Sequence, residues 1–487
     1  YQIILATSRK LGLDGALNRR KSIAEAFTEG PVVATSKPSA DSAPLNMKLP
    51  TILALFALTV TGIAHPDPKL RHWEQASPDP DRIILTWMGN TATSQSVTWR
   101  TDTSVKEAAA EIALALPRAR FDEGAKSYKA RTEKLELVDP AKVVVHYHSV
   151  DFSDLKPDTL YAYRVGSGDR WSEWIQFRTA KAEAAPFSFL YFGDAQNSIL
   201  SFWSRIIRAA YKKAPHAAFS IHAGDLVNTA HKDREWAEWF KAGGWIHSSV
   251  PSIPVSGNHE YTNLKVDGVD KGKQLAIQWR SQFSLPRQND IPDSLAETVY
   301  TLTYQGARFI ALNSNREIEA QAKWLEKVLS KNTSKWTIVT MHHPMFSSGA
   351  GRDNSKNRKV LKPIIDKYKV DLLLQGHDHT YARGHTPVRM SDTKSNKIKS
   401  LYVNSVSGPK MYDFRKDGWN TYKPDGVLLA RKAVKTPFFQ VIDVDGEWLT
   451  YRAFMANGQL YDAVRLQKLA DGTKEMHAWE DDLGKER

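Results

Sequence analysis

Cysteine is absent from all 487 residues, which excludes disulfides, thiolate metal sites and cysteine nucleophiles. Any metal must therefore be held by oxygen and nitrogen. The same absence does not assign a reducing compartment, because exported proteins can fold without disulfides. Dense Lys/Arg runs are also missing, and so is any nucleic-acid-binding motif. The formal charge of +13 thus reads as a mildly basic, solvated surface that attracts anionic substrates, with no specific nucleic-acid partner expected. There are no internal repeats. What is plentiful is core material: 41% hydrophobic and 10% aromatic residues, enough to fill two or three domains in a chain of this length.

The one conspicuous apolar stretch follows Met47-Lys48-Leu49-Pro50 and closes on Gly62-Ile63-Ala64. A single positive charge, an apolar middle and small residues at its end form the pattern of a secretory signal peptide cleaved before His65. It is short for a membrane span, with a retained anchor as the alternative and no span expected in the mature protein. Residues 47–64 are therefore expected to direct secretion or periplasmic export. Residues 1–46, upstream of a plausible start methionine, are expected to have no fold of their own.

Beyond Ser77-Pro78-Asp79-Pro80, alternation at Ile83, Leu85, Trp87, Val97 and Trp99 predicts a small β-sandwich over 78–181. Tyr161 in Leu155-Lys156-Pro157-Asp158-Thr159-Leu160-Tyr161 is placed to return its hydroxyl to nearby backbone, as at the corner of a fibronectin-type domain. Residues 104–140, richer in Ala, Glu and Lys, fit either long strands or a helical insertion. After the linker 181–186 the pattern changes to alternating strands and helices over 186–467, an α/β layer fold. Strands are predicted at 187–192, 218–221, 253–255, 336–341 and 370–374, with a closing antiparallel set at 438–444, 448–454 and 460–466. Ile199, Trp203, Ile206, Ile207 and Ala210 recur at helical spacing and read as core. The charged tail 468–487 is expected to fray.

Five segments carry the chemistry: Gly193-Asp194-Ala195-Gln196, Gly224-Asp225-Leu226-Val227-Asn228, Gly257-Asn258-His259-Glu260, His342-His343-Pro344 and Gly376-His377-Asp378-His379. Each follows an apolar run, so its side chains project from the end of a buried strand, where open α/β sheets place their sites. Carboxylate, carboxamide and imidazole donors suit two adjacent hard or borderline cations. In this order and spacing the segments resemble the metallophosphoesterases (calcineurin-like), within them the purple acid phosphatase-like branch. That resemblance implies an N-terminal all-β sandwich (fibronectin type III-like) followed by an α/β, α-β-β-α four-layer catalytic domain. It further implies that Asp225 bridges two divalent metal ions, with Asp194 and His379 completing one site and Asn258, His342 and His377 the other. His222, His231 and His343 read as structural residues.

Two departures from the family pattern matter. Purple members place a tyrosine three residues after the bridging aspartate, and here that position is Asn228. Other members place a histidine two residues after the first aspartate, and here it is Gln196. Both amides are second-rank candidates for metal binding, and manganese, zinc and iron all remain open. The resemblance implies that hydroxide from a metal-acidified water attacks phosphorus in line, that His259 contacts phosphate and protonates the leaving oxygen, and that Arg352 substitutes for phosphate-binding histidines. The expected activity is an exported phosphomonoesterase acting on a phosphate ester substrate. A phosphodiesterase on the same site is the alternative, and a non-catalytic adhesion or scaffold protein the remote one. Because no phenolate stands at position 228, iron-loaded protein should show no strong visible charge-transfer band, which an optical spectrum checks directly.

Overall fold

Tyr161 provides the first fixed corner of the chain: its hydroxyl accepts the Lys156 N–H at 2.9 Å, as expected for a fibronectin-type sandwich. The computed structural model describes residues 71–487 except 141, 390, 392–395 and 480–482. The proposed leader at 1–64 lies outside these residues. Those described belong to one compact unit, residues 68–487, and none of their helices is long and apolar enough to cross a membrane.

The sandwich packs a four-stranded sheet, ordered Asp81–Thr86, Gln95–Asp102, Val143–Phe152, Arg131–Leu137, against a second sheet built around Ala109–Leu114 and Leu160–Ser167. Inward residues Leu85, Val97, Trp99, Val150, Tyr163 and Phe177 form its core. The open question over 104–140 resolves to strands, Ala109–Leu114, Lys126–Lys129 and Arg131–Leu137, with only a short helical turn at Phe121–Gly124. Alternation over residues 109–112, with Ala110 and Ile112 buried and Ala109 and Glu111 half-buried, explains the outcome.

In the second domain the parallel strands Phe187–Phe192, Ser220–His222 and Ser252–Pro254 lie side by side, and the antiparallel strands Phe438–Asp445, Trp448–Met455 and Leu460–Lys468 extend that half. A second half holds Tyr300–Tyr304, Ala307–Leu312, Trp336–Met341, Leu372–Gln375 and Lys397–Asn404. Its strands alternate strictly between two cores. Phe309, Ile338, Leu372, Leu374, Leu401 and Val403 face the other half, while Ile310, Val339, Met341, Leu373 and Tyr402 face the helices Ile318–Ser330 and Ser355–Lys367. Stacked Phe189 and Phe219 meet the edge of Phe309 between the halves, at 5.4 and 5.0 Å. On the far side Trp203 of the helix Ile199–Lys213 packs on Phe192. Helix, sheet, sheet and helix thus form the four layers.

The tail corrects an expectation. It does not fray after Leu469: Lys474–His477 pairs with both Leu460–Lys468 and Lys397–Asn404, joining the halves into one 14-stranded sheet. The buried Lys474 ammonium, 2.9 Å from buried Asp371, anchors this strand, which is why a charged sequence is ordered there. Predicted strand ends otherwise shift by one or two residues, with Leu372–Gln375 standing in place of 370–374.

The sandwich is joined to the second domain through charge. Arg82 grips Asp233, first residue of the helix Asp233–Gly243, with two bonds of 2.8 and 2.7 Å, and Arg100 adds a third contact at 3.3 Å. Neutral bonds support it, including Thr86 to the Ser284 carbonyl and Tyr163 to the Ser248 carbonyl. Burial alone would raise the Asp233 pKa, but Arg82 and Arg100 outweigh it and hold the carboxyl below its ordinary value. A depressed folded-state pKa stabilises the fold above the unfolded value, about 3.9, and that contribution is lost as pH falls through the folded value. Asp233→Asn, leaving Arg82 buried opposite a neutral amide, should cost about 3–5 kcal/mol near neutral pH. Denaturant unfolding should show the gap from wild type narrowing below about pH 4.

Candidate metal centre

Every strand-end segment converges on one pocket. Asp194 follows Phe187–Phe192, Asp225 follows Ser220–His222, Asn258 follows Ser252–Pro254, His342 directly follows Trp336–Met341, and His377 and His379 follow Leu372–Gln375. Asp194, Asp225, His377 and His379 all adopt left-handed backbone, with φ of 40°, 51°, 76° and 50°, a strained conformation for residues with side chains. The glycines of the segments permit the crowding. A Cβ on Gly257 would collide with the Asp225 carboxylate, and one on Gly376 with that of Asp194.

Ligand atoms form two groups that share a residue: Asp194, Asp225 and His379 in one, Asp225, His342 and His377 in the other. Asn258 joins the second, its Oδ1 lying 3.1 Å from His342 Nε2 and 2.9 Å from His377 Nδ1. Backbone carbonyls set the ring orientations. His342 Nδ1 lies 3.0 Å from the Ala223 oxygen and His379 Nδ1 2.7 Å from that of Lys410. A carbonyl only accepts, so both Nδ1 atoms carry hydrogens and both Nε2 atoms face the pocket.

Inside it His342 Nε2 meets Asp225 Oδ2 at 3.2 Å, and His379 Nε2 meets Asp194 Oδ1 at 3.5 Å. The buried Gln196 Oε1 has no hydrogen-bond partner. Inward-facing nitrogen lone pairs, carboxylates and an orphaned amide oxygen form an oxygen and nitrogen donor set that fits a pair of hard or borderline cations. Burial pushes Asp194 up, and it pushes His377 down and His379 down to about 3. At His342 burial is overcome by Asp225, which lifts the imidazole to about 9.

Two family models match the chain: the purple acid phosphatase N-terminal domain over residues 80–179 and the calcineurin-like phosphoesterase domain over 187–381. Residues 80–179 and 187–381 are thus a purple acid phosphatase N-terminal domain and a calcineurin-like phosphoesterase domain, the arrangement of the purple acid phosphatase-like branch, and the chain is a hydrolase of phosphoester bonds. It is similar to probable purple acid phosphatase 20 of Arabidopsis thaliana, 23% identical over 339 residues, covering 68% of this chain and 71% of the relative. It also resembles the Fe(3+)-Zn(2+) purple acid phosphatase 12 of that plant, 27% identical over 299 residues and covering 57% and 60%. The structure of a purple acid phosphatase from yellow lupin (Lupinus luteus) seeds shares the fold with a TM-score of 0.64 at 18% identity, covering 80% and 74%.

In this phosphoesterase the remaining predicted residues occupy distinct places. His259 is tied by its N–H to Asp225 Oδ1 at 2.9 Å and by Nδ1 to the Asn228 carbonyl at 2.6 Å, leaving Nε2 4.0 Å from Asp225 Oδ2. Gln196 enters the pocket, donating to Asp225 Oδ2 at 2.6 Å. The Asn228 side chain instead donates to Thr229 at 3.4 Å, and its backbone oxygen is what serves the site by orienting His259. Arg352 reaches the rim, donating to the His377 carbonyl at 3.0 Å and lying over the Tyr412 ring. His222 is buried against Trp203 and Trp239, and His231 bonds the Thr262 carbonyl, as structural residues. His343 bonds Ser314 at 2.9 Å with its ring 4.2 Å from that of His377.

Sequence reasoning passed over two carboxylates inside its own motifs. Glu260, fully buried, accepts N–H bonds from Asp225, Leu226, Val227 and Gly257 at 2.6–3.3 Å, closing one ligand loop on another. Asp378 accepts the Ser348 and Gly349 N–H groups at 2.5 and 3.1 Å, fastening the loop that carries Arg352. A carboxylate directly beside ligand residues was the available signal. The segment 405–410 was missed altogether, although Gly408 donates to the Asp194 carbonyl at 2.7 Å.

Proposed function

We propose that the chain is an exported, metal-dependent phosphomonoesterase whose centre is held by Asp194, Asp225, Asn258, His342, His377 and His379. The single observation that supports the two-metal reading is the Asp225 carboxylate, common to both candidate ligand groups. When bound, two cations there acidify water into a nucleophile and neutralise charge on the phosphoryl group. The chain's residues do the rest. Asp225 and Asp194 are locked by backbone N–H groups, so the phosphoryl group meets a preorganised site. His259, with Nδ1–H committed to the Asn228 carbonyl, presents Nε2 toward the site and delivers a proton from it to the leaving oxygen. Arg352 offers its remaining guanidinium N–H groups to phosphoryl oxygens.

Manganese, zinc and iron each suit the donors, and the name of the Fe(3+)-Zn(2+) relative supports a mixed pair. Export rests on the motif at 47–64, and N-terminal sequencing of the exported protein should begin at His65. Release of a chromophore from a simple aryl phosphate should be lost on chelation and restored by manganese, zinc or iron, singly or as an iron and zinc pair. Loss of turnover with every metal on folded protein would redirect the reading to diesters. His259→Ala should lower kcat roughly 100- to 10,000-fold, whereas Arg352→Ala should mainly raise KM.

A further inference from the structure

A cleft of ≈ 520 Å³ opens beside the centre, with Asn258 and His343 in its wall. This size falls among small-molecule sites, and it exceeds what a single phosphoryl group needs. Its lining carries cations. Lys273 stands on the exposed strand Val269–Leu275, and Arg316 lies over the Tyr261 ring at 5.2 Å, which holds its guanidinium in place. Among the described residues neither has a carboxylate partner. Lys356 adds a third cation, weakly paired at 3.4 Å with exposed Glu319. The acid in the lining, Asp353, is already neutralised by Arg358 at 2.6 Å, and the first turn of the helix Ser355–Lys367 has no acidic residue.

From this we infer that the cleft receives a second phosphoryl group carried on the leaving portion of the substrate, so that the preferred substrates are bisphosphorylated esters or anhydrides. The inference rests on the phosphoesterase reading of the adjoining centre. A fixed guanidinium binds phosphoryl oxygens in pairs, and a flexible ammonium supplies charge around them. Two cations left without counter-ions in the lining of a cleft also raise local anion concentration.

The test compares 1,3-propanediol bisphosphate with propyl phosphate on metal-loaded full chain, dividing out the statistical advantage of two equivalent phosphates. We expect kcat/KM to favour the bisphosphate about tenfold or more at low salt. That preference should shrink as salt rises and approach unity in the Lys273→Ala/Arg316→Gln double variant. Lys273→Ala alone, on an exposed strand, should already lower it without threatening the fold. No preference in the native chain, or one unchanged in the double variant, overturns the inference. Absence of turnover with both esters would instead sink the phosphomonoesterase reading. Calorimetry then decides the cleft, because methylenebisphosphonate should bind more tightly than methylphosphonate in the native chain only.

Discussion

Two buried carboxylates and three imidazoles repel or desolvate one another unless the scaffold holds them together, and here the scaffold does so with further carboxylates aimed at backbone N–H groups. Glu260 fastens the loop of Asp225 to that of Asn258, Asp194 accepts the His377 N–H, and Asp378 fastens the loop of Arg352. A carboxylate surrounded by N–H donors stays in place because each donor would otherwise be buried unpaired. Left-handed backbone at four of the candidate ligand positions is the strain that these bonds sustain. The converging lone pairs that can accept cations follow from that arrangement.

The same logic reaches the sandwich. Arg82 holds Asp233 at the start of one helix, and Glu235 of that helix accepts the Asn228 and Thr229 N–H groups at 2.6 and 2.9 Å. The Asn228 carbonyl in turn orients His259. A chain of direct bonds therefore runs from the sandwich to the residue proposed as general acid. The sandwich thereby contributes a footing for one wall of the site.

Much of this was legible in advance. The alternation at Leu85, Val97 and Trp99, the apolar 187–192 and 336–341, and the helical spacing of Ile199, Trp203 and Ile206 each encode an element locally, because burial on one face or two leaves a period in the residues. The helix Ile318–Ser330 has that signal too, at Ile318, Ala322, Leu325 and Leu329, and went unread. The strand Lys474–His477 had none, since its order comes from Lys474 meeting Asp371 a hundred residues away.

By itself the sequence determined which side chains could serve as ligands, because oxygen and nitrogen donors after apolar runs are a matter of residue type and spacing. It also determined that no thiolate would be among them, since the chain has no cysteine. Only the tertiary structure decided how those donors point. The carbonyls of Ala223, Lys410 and Asn228 orient His342, His379 and His259, and every residue type carries the same carbonyl. Such contacts have no signature in residue identity; they exist only once the strands have brought distant backbone to the same pocket.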